Sequence, residues 1–109
     1  MNIFPKEFII VVDMADDIIK LKVAGENEKN KVKSIGFSEE KDIMKLEVNN
    51  VSEKIEVINT LISEGALFLY GHGWYPSELL EHYKEQGFKF KEYKIISWST
   101  PDKYLIEER

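Results

Sequence analysis

In NNVSEKIEVINTLISEG, residues 49–65, the spacing of the apolar side chains changes. Up to this point they alternate with polar residues, which is the period of a strand. Here Ile55, Ile58, Leu61 and Ile62 recur at three- and four-residue steps, which places them on one stripe of a helix. Asn50 stands where an N-cap is needed, with Glu53 three residues on in a capping-box-like arrangement, and Gly65 supplies a C-terminal stop. A helix with one apolar stripe needs an apolar surface to lie on, so the strands before it and after it become its platform.

Upstream, Phe8 to Val12 is a short β-branched run, consistent with a strand covered on both faces. In IIKLKV (18–23), Ile19, Leu21 and Val23 alternate with two lysines. AGENEKNK (24–31) reads as a charged loop rich in turn formers. VKSIGFS (32–38) then carries Ile35 and Phe37 on one face, and IMKLEV (43–48) carries Met44, Leu46 and Val48. Short connections make an antiparallel meander the simplest arrangement.

Downstream, ALFLY (66–70) is bracketed by Gly65 and Gly71 and reads as a strand. A second helix is expected from Pro76, suited to the first helical position, to Gln86, with Gly87 as its stop and Leu79, Leu80 and Tyr83 inside. Tyr93–Ser99 and Lys103–Glu107 form a hairpin turned at Pro101 and Asp102. The expectation is one α+β domain over residues 1–109: a largely antiparallel sheet of about six or seven strands with two α-helices packed on one face.

Bulk properties bound the function. At 109 residues, 43% hydrophobic and 32% charged, the chain can build one core and lies outside the composition of disordered proteins. It has no cysteine, which excludes disulfides, thiolate metal sites and thiol nucleophiles and suits a reducing compartment. The apolar run from Phe8 to Val12 is too short for a signal-peptide core or a membrane span, so a cytoplasmic protein without membrane contact is expected. A net charge of −5 and a single arginine, Arg109, argue against a nucleic-acid binder.

The unusual segment is LYGHGWYP (69–76), where His72 lies between two glycines ahead of a helix start. Backbone N–H groups and the positive end of a helix dipole beside an imidazole could hold an anion, or poise His72 as a general acid or base. One histidine without a defined partner is not a catalytic constellation, and Trp74 and Tyr75 stand where a phosphate loop needs Lys and Ser/Thr. The purely structural account has Gly71 and Gly73 supplying unusual backbone angles while Trp74 and Tyr75 pack back onto the core. Elsewhere, Glu78, His82 and Glu85 lack zinc-site spacing, and DMADD (13–17) reads as a solvated turn. No catalytic residue, metal or cofactor is expected.

Trp and Tyr concentrate in residues 70–109. Aromatic side chains of this kind serve as anchors in protein interfaces, so the expected contact residues are Tyr70, His72, Trp74, Tyr75, Ile96, Trp98 and Tyr104. Alternation places Ile96 and Trp98 on the outward face if Tyr93 and Ile95 face the helices. The expected function is a small acidic module that binds another protein as an inhibitor, immunity or accessory factor. The alternative is a small anionic ligand held by the 70–75 loop and the N-terminus of the second helix. An exposed strand edge leaves homodimerisation open.

Overall fold

The computed structural model describes residues 7–100 and 103–109, with side chains described for 7–97 and 104–109. In chain order the elements are β1 (Phe8–Asp13), β2 (Ile18–Ala24), α1 (Glu26–Ile35), β3 (Ser38–Glu40), β4 (Ile43–Glu47), α2 (Val51–Ser63), β5 (Leu67–Leu69), α3 (Pro76–Glu85), β6 (Lys94–Thr100) and β7 (Lys103–Glu108). Seven strands form one sheet in the order β3-β4-β2-β1-β5-β6-β7. The α+β class, the mostly antiparallel sheet and its strand number agree with the sequence. The helix count does not: there are three among the described residues.

The additional helix is α1, in the segment expected as a charged loop and the start of a strand. It is driven by polar helix formers rather than by an apolar stripe, since Val32 is its one buried residue. Glu26 and Glu28 in its first turn and Lys33 in its last suit the helix dipole. Gly36 closes it at φ 125°, a conformation side chains rarely adopt. Because α1 intervenes, Phe37 enters the core from a connecting residue, and β3, reduced to three exposed residues, is the rim of the sheet.

The meander is also corrected. β2 pairs with β4, β3 with β4, and β1 with β2, all antiparallel, but β1–β5 and β5–β6 are parallel. A parallel pair needs a crossover, and α3 supplies it between β5 and β6. Strands β1, β5 and β6 therefore share a direction, and the turn after β1 and the loop after β5 emerge at the same end of the sheet.

All three helices cover one face. Ile55, Ile58, Leu61 and Ile62 of α2 and Leu79, Leu80 and Tyr83 of α3 are buried there against Ile9, Val11, Ile19, Leu21, Phe68 and Ile95. The α2 stripe is the one expected. Asn50 caps that helix, its Oδ1 accepting the Glu53 N–H at 2.8 Å, whereas the Glu53 carboxylate takes the Asn49 side-chain amide instead of the cap N–H. Lys54 is buried at 3% exposure; its ammonium donates to the Asp16 carbonyl at 2.7 Å, tying α2 to the turn after β1. In that turn Asp13 accepts the Ala15 N–H at 3.0 Å, a local aspartate turn.

The other face holds a smaller cluster of Ile10, Leu67 and Ile96, with Phe8, Val12, Leu69, Tyr104 and Ile106 packed on it. The hairpin pairs β6 with β7 from Lys94↔Glu108 to Thr100↔Lys103, and the expected Pro101–Asp102 turn lies outside the described residues.

Candidate functional site

The site is a groove of about 560 Å3 running beside α3. It lies where α3 sits over β5 and β1 and where the buried side chains of Tyr93 and Ile95 reach the surface beside the helix. One end is the 70–74 loop, with Tyr70, His72 and Trp74; the other is Arg109, and Tyr93, just before β6, and Ile95 of β6 line it between. Glu78, Glu81, His82 and Glu85 line it from α3. Positions 78, 81, 82 and 85 follow the three- and four-residue steps of a helix, so these residues share one face of α3.

The loop is shaped by its own hydrogen bonds. The Ser77 hydroxyl accepts the Gly71 N–H at 3.1 Å and donates to the Gly71 carbonyl at 3.2 Å. The Gly73 N–H donates to Glu78 Oε2 at 2.6 Å, and His72 Nδ1 lies 3.5 Å from the same oxygen. The Gly71 and Gly73 amides are thus directed at groups of the protein itself. At the helix start Pro76 carries no N–H, and the Glu78 and Leu79 N–H groups donate to the Tyr75 carbonyl.

The two glycines have different reasons. Gly73 sits at φ 74°, as expected of a residue with unusual backbone angles. Gly71 is outside that region; its constraint is the Tyr75 ring, which a β-carbon there would overlap. Trp74 does not pack back onto the core but stands 75% exposed at the end of the groove. Tyr70 is 43% exposed and meets the His72 ring edge-on.

Tyr93 is one of the groove residues that sequence inspection missed, together with Ile95, Arg109 and the glutamates of α3. The segment before it is held by α2: Asn59 donates to the Lys89 carbonyl and accepts the Lys91 N–H, and Lys91 donates to Ser63. This delivers the buried Tyr93 ring to the groove, where its hydroxyl donates to Glu81 at 3.3 Å. Burial pushes its phenol above the usual tyrosine range, with Lys84 opposing. The Lys84 ammonium lies 4.6 Å from the Tyr93 ring centroid and 3.6 Å from Glu81, and its bond with the Tyr93 hydroxyl raises its own pKa against the effect of burial. Tyr93 faced inward in the sequence pattern, but no spacing linked it to loop 70–74.

The residues singled out from sequence fall on two sides of the sheet. Tyr70, His72 and Trp74 line the groove, and Tyr75 braces the loop against Gly71. Tyr93 and Ile95 do face the helices, so Ile96 is on the opposite face, but it is fully buried there and offers no contact surface. Tyr104 is half-buried beside it. The Trp98 backbone pairs with Tyr104, while its side chain lies outside the described residues.

His82 neighbours Gln86 rather than Glu78, and among the described residues no three His, Asp or Glu side chains are grouped to hold a metal ion. Among them, too, no helix is long and apolar enough to cross a membrane. No family model, no curated protein and no solved structure matches the chain.

Proposed function

We propose that the chain is a protein-interaction module of the inhibitor, immunity or accessory type, and that it engages its partner through the groove beside α3 and the aromatic loop at its end. The observation that carries this reading is the exposure of Trp74 at the mouth of a 560 Å3 groove. A rigid amphipathic ring standing in water next to a concave surface is the arrangement from which interface anchors are made. The cysteine-free composition suits action in a reducing compartment, the cytoplasm.

A small anionic ligand is the second reading. The cavity at the loop favours it. The carboxylates of Glu78, Glu81 and Glu85 and the engagement of the Gly71 and Gly73 amides oppose it.

The test is capture of partners by the tagged full chain from its own cells, repeated with Trp74→Ala. At 75% exposure the substitution should change stability by less than about 0.5 kcal/mol, verified by thermal unfolding. Loss of a stoichiometric partner with Trp74→Ala supports the module. A partner held equally by both chains refutes the assignment of this surface. Light scattering on the purified chain shows whether a second copy is that partner.

A further inference from the structure

Resting on that binding reading, we infer that the groove beside α3 receives a basic segment of the protein partner, seating lysine or arginine side chains between aromatic rings and carboxylates. Charge complementarity is the first argument. Three carboxylates line the groove, Glu78 holding the Gly73 N–H and Glu81 lying 3.6 Å from the Lys84 ammonium, and the one lysine or arginine among its lining residues is Arg109 at the far end, already 3.3 Å from Glu107. An anion would meet these carboxylates while finding the amides of Gly71 and Gly73 engaged by Ser77 and Glu78.

The aromatic walls are the second argument. Tyr70, Trp74 and Tyr93 line the same groove, and aromatic faces attract ammonium and guanidinium groups. The fold makes one such contact by itself: Lys84 places its ammonium over the Tyr93 ring and beside Glu81. A partner lysine at Glu78 would repeat that chemistry with Trp74 or Tyr70, which flank the loop that Glu78 holds. Dimensions favour a chain segment over a free amine. Ten residues of α3 span about 15 Å, the length of four or five residues of extended peptide.

The experiment titrates the isotope-labelled full chain with capped tetralysine, capped tetraglutamate and inorganic phosphate, followed by amide chemical shifts at low and physiological salt. Tetralysine is expected to shift residues 70–74 and the groove side of α3. Glu81→Gln with Glu85→Gln should weaken it about three- to tenfold, while Glu26→Gln with Glu56→Gln, equal in charge but outside the groove, should leave it within about twofold. No tetralysine binding, preferential binding of tetraglutamate or phosphate, or equal losses in the two double variants would overturn the inference. Equal losses would mean diffuse attraction to an acidic protein. Glu78 is kept throughout because it holds the loop. Applied to the captured partner, the same variants separate the two claims. Retention that depends on Trp74 but ignores Glu81 and Glu85 ends the charge inference alone; retention indifferent to Trp74 ends the binding reading.

Discussion

Replacing Gly71 by alanine tests whether one aromatic ring dictates the loop. The new β-carbon would overlap Cγ and Cδ2 of Tyr75 and stand 2.8 Å from Cε2, where carbons in contact prefer about 3.5–4.0 Å. Because Cγ is the first ring atom, rotating the far end of the side chain gives no relief, and the whole ring must leave. Tyr75 is 48% exposed, so roughly half of an aromatic's ~200 Å2 is lost from burial, at most about 2.5 kcal/mol at ~25 cal/mol/Å2. Staying in place costs about 1–3 kcal/mol as overpacking. The expected destabilisation is therefore about 1–3 kcal/mol, which for a chain of this length lowers Tm by roughly 4–13 °C.

The control is the same change in a Tyr75→Ala background. Gly71 is not among the glycines with positive φ, and the three atoms nearest an added β-carbon all belong to the Tyr75 ring, so with the ring removed Gly→Ala is expected to stabilise by about 0.4–1 kcal/mol through the unfolded chain. Urea unfolding followed by far-UV circular dichroism on the parent, both single variants and the double variant measures this coupling. A reversal of sign is the expected result. If Gly71→Ala destabilises equally in both backgrounds, the backbone and not Tyr75 sets the requirement, and the account of the loop is wrong.

Asn50→Ala removes the acceptor for the Glu53 N–H and should cost about 1 kcal/mol in urea unfolding, while Asn50→Asp should keep most of the stability. Phe68→Ala empties a fully buried site that meets Tyr93 edge-on at 5.7 Å; about 3–5 kcal/mol should be lost, and a cost below 1 kcal/mol would contradict the packing described. The folded-state pKa of Tyr93 is raised, so its contribution to stability is full below the unfolded value near 10 and is lost as pH rises through the higher folded value. Unfolding midpoints measured from about pH 9 to about pH 11 should fall, and Tyr93→Phe should flatten that fall.

Much of the architecture could be read along the chain. The α2 stripe, its Asn50 cap, the Pro76 start of α3 and the C-terminal hairpin are local patterns whose physical cause lies within a few residues. The α1 helix escaped because Val32 is its one buried residue and gives no periodicity; Gly25 and Gly36 at its ends and acidic-before-basic order were the available signals. At the site, exposure of Trp74 could not be told from burial, since a glycine-flanked loop has no period to assign a face.

Local sequence by itself determined six of the seven strand segments and two of the three helices, the class of the fold, the chemistry excluded by the lack of cysteine, and an unusual aromatic loop at 69–76. Those are consequences of periodicity, capping and turn chemistry. The strand expected at 32–38 is instead the end of α1 with β3 beyond it. Tertiary structure alone decided that β1, β5 and β6 run parallel, and that Tyr93 and Arg109 join a loop some 20 to 40 residues earlier to line one groove beside α3. Strand neighbours are chosen by non-local packing of whole faces, which no local pattern encodes. The sign of the groove likewise emerges only when three glutamates on one face of α3 are set against Tyr93 and Ile95 in the same groove.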